Sequence, residues 1–213
     1  MQIISRIDNV VIDIDVDENI QYGIMLSGGI DSAILLCLLI LEAKNKSINL
    51  NLQPFSTVKH DKSYTYVTNI ISNINTKFAS QIPETILVGD PDVHHSIQSK
   101  YAAHEIHQKY PGIQKMWNGL NQNPPPPFDL NRWGPGKYPN RIRFAPSKND
   151  LMPFIQLYKN HIIDIGLQFN LQFLFDITHS CTEWTQGRCM QCFQCNERLW
   201  AFQSLSIEDP GKL

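Results

Sequence analysis

The chain is 213 residues long, 42% apolar and nearly neutral, with a formal net charge of −2. That is material for one compact domain with a sizeable core, and it excludes wholesale disorder. The charge offers no general attraction to nucleic acid or to a membrane surface, and the apolar run Ala33 to Leu41, nine residues, is far short of the ~18 of a membrane span.

The opening MQIISRIDNV lacks a basic region followed by an apolar segment, so no secretory signal is read there. In NVVIDIDVD, Val10, Ile12, Ile14 and Val16 face one way and Asp13, Asp15 and Asp17 the other. This is the period of an exposed strand, expected to pair with the next one. A solvated face explains the aspartates better than a calcium loop, which needs turns that a strand lacks. A strand from about Ile20 to Leu26 leads to a helix from about Ile30 to Lys44. A strand over Ser47 to Val58, a helix over Lys62 to Phe78 and a strand in TILVGD (Thr85 to Asp90) follow. SIQSKYAAHEIHQKY (Ser96 to Tyr110) is helical in composition, and KMWNGLN reads as another strand. Strands alternating with helices predict an α/β fold with a doubly wound, mostly parallel sheet. Its ligand is expected beyond the carboxyl ends of the strands.

From Asn121 to Asp150 the pattern breaks, and seven of the thirteen prolines fall between Pro124 and Pro146. A loop this long inside a compact domain is functional or disordered. The expectation is a lid anchored by Trp133, Tyr138 and Phe144, with Arg132, Lys137, Arg141, Arg143 and Lys148 as a cover over phosphates. The plain alternative is a solvated loop whose charges meet no ligand. Helical periodicity returns in LYKNHIIDIGLQFN. One compact domain is thus expected in three segments: a nucleotide-binding α/β core over 1–120, a proline-rich substrate or lid loop over 121–150, and a C-terminal helical segment over 151–213.

Chemistry concentrates in GIMLSGGIDSAILLCLLI (Gly23 to Ile40). A strand turning through Gly28 and Gly29 into a helix presents backbone N–H groups at the positive end of the helix dipole, a natural phosphate site. Glycines let the main chain approach phosphate oxygens that a Cβ would keep away. Ser27 and Ser32 can donate hydroxyl hydrogen bonds, and Asp31, no phosphate donor when ionised, would hold Mg²⁺ there. No GxxxxGK(S/T) is present, so this is not a Walker loop. A tight turn with a capping serine would explain neither Asp31 nor the serine pair. Cys181, Cys189, Cys192 and Cys195 are spaced C-x7-C-x2-C-x2-C. Four thiolates can close a tetrahedral shell around a structural Zn²⁺; an iron–sulfur cluster needs the same ligands, and a disulfide or redox pair is the third choice. Clustering of this kind suits a reducing compartment and a cytoplasmic location. Cys37 reads as core. In GDPDVHH, Asp90, Asp92, His94 and His95 lie near the ligand edge as a polar loop, with metal binding the less economical reading.

SGGIDS, set between a strand and a helix, resembles the signature of the PP-loop ATP pyrophosphatases, and so implies an adenine nucleotide alpha hydrolase-like fold that releases pyrophosphate and transfers AMP to a substrate oxygen. SCTEWTQGRCMQCFQCNERLWAF resembles the C-terminus of the 7-cyano-7-deazaguanine synthase family, with Arg198 and Phe202 matching its tail. PFIQLYKNHIIDIG resembles that family's helix entry, with Lys159 at its lysine; a solvated helix lysine is the plain alternative to a phosphate contact there. The resemblance implies ATP, Mg²⁺ and Zn²⁺ as cofactors, with Ser27, Gly28, Gly29, Asp31 and Ser32 at the pyrophosphate and Mg²⁺, Asp31 and Lys159 as catalytic groups, and the four cysteines on zinc. It implies 7-carboxy-7-deazaguanine, ammonia and ATP as substrates, a homodimer, and neither a membrane nor a nucleic-acid partner. Departures are NQNPPPPFDLN, where only Asn121 and Asp129 look comparable, and FSTVKHDKSY, which lacks the family's turn. They leave open another acceptor, in tRNA thiolation or protein modification, and a nucleotide-binding module without turnover.

Overall fold

The computed structural model describes residues 1–92, 98–138 and 149–211, with the backbone alone at 99 and 100. Its centre is a parallel sheet of β3 (Tyr22–Met25), β4 (Leu52–Thr57), β5 (Ile86–Val88), β6 (Lys115–Asn118) and β7 (Asp150–Leu151), in the order β5-β4-β3-β6-β7. The chain starts at the middle strand, winds outward through β4 to β5, then crosses back to β6. Strand order therefore reverses between β3 and β6, and a crevice opens there beyond their carboxyl ends.

Helices cover both faces. α1 (Ile30–Asn45) is apolar nearly all round, and twelve of its residues are buried, as suits a helix sunk in a core rather than lying on it. It packs against α2 (Val67–Phe78), α4 (Lys159–Gln168) and α5 (Phe173–Ile177). α2 buries one stripe only, Val67, Ile70, Ile71 and Ile74, the spacing of a surface helix. On the opposite face α3 (Gln98–Lys109) sets Ala102 and Ile106 against Phe55 and Val88. α6 (Phe193–Ser204) closes the chain's helical end against α4. The fold is thus α/β, doubly wound around a parallel sheet, with a helical C-terminal segment that carries a four-cysteine cluster.

Several boundaries differ from expectation. The N-terminal alternation does bury Ile12, Ile14 and Val16 and expose the aspartates. Its strand, β2 (Val11–Asp13), pairs antiparallel with β1 (Gln2–Ile4) and not with the strand that follows. Both edges of β3 are already taken by β4 and β6, so no ladder was open to it. The strand expected from Ser47 begins at Leu52, because Ser47 turns left-handed (φ 56°) where α1 ends. The helix expected from Lys62 opens as a 3₁₀ turn, Ser63–Tyr66, before α2. Within the proline-rich segment, Leu130–Trp133 form a 3₁₀ turn and Asp150–Leu151 form β7.

Candidate active site and metal centre

The SGGIDS loop leaves β3 at the reversal point of the sheet. Gly28 is left-handed (φ +80°), and a Cβ on it would lie 2.2 Å from the Ser63 carbonyl oxygen; only glycine fits. The Gly29 N–H donates to Ser27 Oγ at 3.3 Å, Ser32 Oγ donates to the Gly29 carbonyl at 3.1 Å, and the two serine hydroxyls lie 3.3 Å apart. Gly29 caps α1 without any side-chain bond to its first turn, which leaves the helix N-terminus to a ligand.

Asp31 in that first turn meets Lys159, the first residue of α4, with Lys159 Nζ 2.7 Å from Asp31 Oδ2. The same ammonium lies 3.1 Å from Glu197 Oε2 on α6, and Glu197 Oε1 accepts from Asn121 Nδ2 at 3.2 Å. Burial pulls the Lys159 ammonium down, but Asp31 and Glu197 together outweigh it and hold it above the usual lysine range. Asp31 Oδ1 is buried and has no hydrogen-bond partner among the described residues. A hard divalent cation takes such an oxygen, so the residues fit Mg²⁺ at Asp31. Ser27, Asp31, Ser32, Lys159, Glu197 and Asn121 all line one cavity of about 410 Å³, the size of a small-ligand site.

Sequence reasoning missed Glu197, which no motif marks, and Thr57 at the end of β4 with Lys59 just beyond it, which also line the cavity. Gly28 and Gly29 stand beside it. Asp129 does not reach it: its side chain caps the Leu130–Trp133 turn by accepting from the Asn131 N–H at 3.0 Å. Arg198 is a buried hub, not a cavity residue; it donates to both oxygens of Asp209 at 2.8 and 2.9 Å and to the Thr178 carbonyl at 3.0 Å. Asp90 turns back on its own loop, accepting from the Asp92 N–H at 2.8 Å; His94 and His95 lie outside the described residues.

The four cysteine sulfurs lie within 4.8 Å of one another, and a tetrahedral ion with bonds of about 2.3 Å brings thiolates this close. Backbone N–H groups of Trp184, Cys192 and Cys195 donate to Cys181, Cys189 and Cys192 Sγ at 3.2, 3.2 and 3.4 Å, which favours the charged form. A hydrogen bond from Cys195 holds Cys192 down, to about 4, and the same bond together with burial pushes Cys195 up. The donor set thus fits a soft or borderline metal ion. Cys37 lies apart, fully buried in α1.

The proline-rich segment docks on this centre through rings. Tyr138 stacks on Phe193 at 4.1 Å, Trp133 meets Phe193 edge-on at 5.4 Å, and Trp133 Nε1 donates to the Gln191 carbonyl at 2.8 Å. Arg132 and Lys137 lie over Trp133 and Tyr138 and do not line the cavity. Phe144, Arg141, Arg143 and Lys148 lie outside the described residues.

Residues 145–206 match the family model described as queuosine biosynthesis protein QueC. The 7-cyano-7-deazaguanine synthase of Persephonella marina is 34% identical over 72 residues, which make up 32% of this chain and 31% of the relative. That of Methanospirillum hungatei is 36% identical over 58 residues, 27% of this chain and 26% of the relative. The matches therefore span under a third of the length of these relatives. Among solved structures, the NMN synthetase of Francisella tularensis aligns with a TM-score of 0.48 at 13% identity, covering 88% of this chain and 78% of that one. The U34-tRNA thiolase NcsA of Methanococcus maripaludis, with its 4Fe–4S cluster, aligns with a TM-score of 0.43 at 13% identity, covering 73% and 59%. The resemblance first drawn from the motifs is thus borne out for the C-terminal part of the chain, and the span matched by the QueC model holds Lys159, Glu197 and all four cysteines.

Proposed function

We propose that this chain is an ATP-dependent adenylating enzyme that converts 7-carboxy-7-deazaguanine and ammonia to 7-cyano-7-deazaguanine. The observation that carries the reading is the meeting of Asp31 of the SGGIDS loop with Lys159 of the QueC-like segment, at 2.7 Å on one cavity wall. A carboxylate is a poor electrophile because oxide is a poor leaving group. Attack of its oxygen on the α-phosphorus of ATP releases pyrophosphate and leaves an acyl-adenylate. Ammonia then displaces AMP to give the amide. A second ATP adenylates the amide oxygen, and loss of AMP with the remaining N–H proton leaves the nitrile.

In this reading Ser27, Gly28, Gly29 and Ser32 hold the pyrophosphate, whose developing charge the α1 N-terminus and Lys159 stabilise. Mg²⁺ at Asp31 would neutralise further charge on the leaving pyrophosphate. Glu197 and Asn121 keep Lys159 aimed. Zn²⁺ on Cys181, Cys189, Cys192 and Cys195 would be structural, because four thiolates leave no open position.

The test is pyrophosphate release from ATP and Mg²⁺, with 7-carboxy-7-deazaguanine and ammonia each present or omitted, and mass spectrometry of the products. Release that requires the deazaguanine, with amide and then nitrile appearing, is expected. Release with no dependence on it, or no release by folded, metal-loaded protein, would reject this acceptor and turn the search to another acceptor or to a binding role.

A further inference from the structure

The phosphate loop and the cysteine cluster are tied together by two aromatic side chains that neither site uses. The His179 N–H donates to the Gly28 carbonyl at 2.9 Å, so the backbone two residues before Cys181 holds the centre of the SGGIDS loop. The His179 ring lies flat on Tyr66, centroids 4.5 Å apart and planes 7° apart. His179 Nε2 lies 2.8 Å from the Trp184 carbonyl, and the Tyr66 hydroxyl donates to the Thr185 carbonyl at 2.7 Å. A carbonyl only accepts, so Nε2 is the donor in this contact. Tyr66 closes the 3₁₀ turn whose first residue, Ser63, fills the space that a Cβ on Gly28 would need.

Both carbonyls belong to the strap between Cys181 and Cys189. The strap exposes Glu183, Trp184, Thr185 and Gln186, so no apolar burial fixes its middle. Cys181 anchors it at one end, where the Trp184 N–H donates to the sulfur at 3.2 Å. At the other stand Cys189 and Arg188, the latter 2.6 Å from Asp209. A segment with so few buried contacts opens locally at low cost unless its ends are fixed.

We propose that Tyr66 and His179 are positioning residues that transmit metal occupancy of the cysteine cluster to the shape of the phosphate loop. An ion on the four sulfurs closes the strap into a short ring, which fixes the carbonyls of Trp184 and Thr185. These hold His179 and Tyr66, which in turn hold Gly28 from two sides. The link rests on reading the loop as a phosphate site and the cysteines as a metal centre.

Hydrogen–deuterium exchange of the whole chain tests it without ATP or turnover. Chelating Zn²⁺ is expected to speed exchange of the Ser27–Ser32 amides about tenfold, the effect of losing one buried hydrogen bond of ordinary strength. Tyr66→Phe and His179→Ala are expected to speed the same amides with the metal still bound at one ion per chain, and chelation of the double variant to add little. Unchanged loop exchange in metal-loaded variants, or an undiminished response of the double variant to chelation, would overturn the link. If chelation unfolds the chain, seen as exchange at Leu35–Leu39, the metal-loaded variants decide alone. Failure here would leave the adenylating function standing, and absence of pyrophosphate release would leave the link standing.

Discussion

Glu197 and Arg198 are neighbours on α6, both buried, and each anchors a cluster of charges of opposite design. Around Arg198 two cations share one carboxylate: Asp209 binds Arg198 at 2.8 Å and Arg188 at 2.6 Å. The guanidinium's other bonds run to the Thr178 carbonyl and hydroxyl, the Ser180 hydroxyl and the Phe175 carbonyl. Around Glu197 two carboxylates share one cation, Lys159, and an orphaned oxygen of Asp31 remains beside an open cavity. The first cluster is turned inward and away from the cavity, and four chain segments meet in it. Although Arg188 Nη2 has no partner among the described residues, every nitrogen of Arg198 has one, so the cluster holds the C-terminal part together. The second carries surplus negative charge where a ligand can enter, so its free energy improves when a cation arrives. A buried charge network of the first kind is scaffold; one of the second kind is a site.

Removing the hub should separate the two most sharply. Arg198→Ala leaves the Thr178 and Phe175 carbonyls without their donor and should cost about 3–5 kcal/mol of stability, read in urea unfolding. A loss under about 1 kcal/mol would show that the cluster is as tolerant as a surface pair. Asp31→Asn should do the reverse. It keeps the shape of the loop and leaves Lys159 its pair with Glu197, so it should cost less stability than loss of the hub, yet it removes the carboxylate proposed to hold Mg²⁺ beside the phosphates. Pyrophosphate release should fall at least about 100-fold; release at the wild-type rate would take Asp31 out of the chemistry.

Legibility follows the same division. The SGGIDS loop was readable because its contacts are local, within five residues for the serine pair. The cysteine cluster was readable because fifteen residues contain it. The parallel sheet followed from alternating elements, although strand ends did not, since the left-handed Ser47 gives no sequence signal. Glu197 was illegible: its partners lie on α4 and, 76 residues away, at Asn121 beyond β6. Arg198 was noticed as a motif match, but nothing in the sequence said that it faces Asp209 and the end of α5.

A smaller effect should distinguish the two carboxylates that share Lys159. With its pKa raised, the ammonium stabilises the fold fully below the ordinary lysine value, and that contribution is lost only as pH rises through the raised one. Glu197→Gln removes one of the two charges that outweigh burial, so the value falls. The alkaline limb of both activity and thermal stability should then move to lower pH, with roughly tenfold less activity at neutral pH, where a charged hydrogen bond has become a neutral one. Identical alkaline limbs in wild type and variant would mean that Asp31 alone holds the proton.

The smallest effect should come from the proline-rich segment, where Asn121 and Asp129 both look comparable to the family's segment in sequence and are placed differently. Asn121 is buried at the cavity beside Glu197. Asp129 is exposed and caps one 3₁₀ turn through the Asn131 N–H. The turn keeps its hold on the protein through Trp133, whose ring contacts Phe128 and Phe193 and whose indole reaches Gln191. Losing the cap therefore frees one exposed N–H to water and no ring contact. Asp129→Ala should cost about 0.5 kcal/mol and leave pyrophosphate release unchanged within twofold. A drop of tenfold or more, with stability intact, would mean that the turn carries Asp129 onto the substrate during turnover, and the contrast with Asn121 would dissolve.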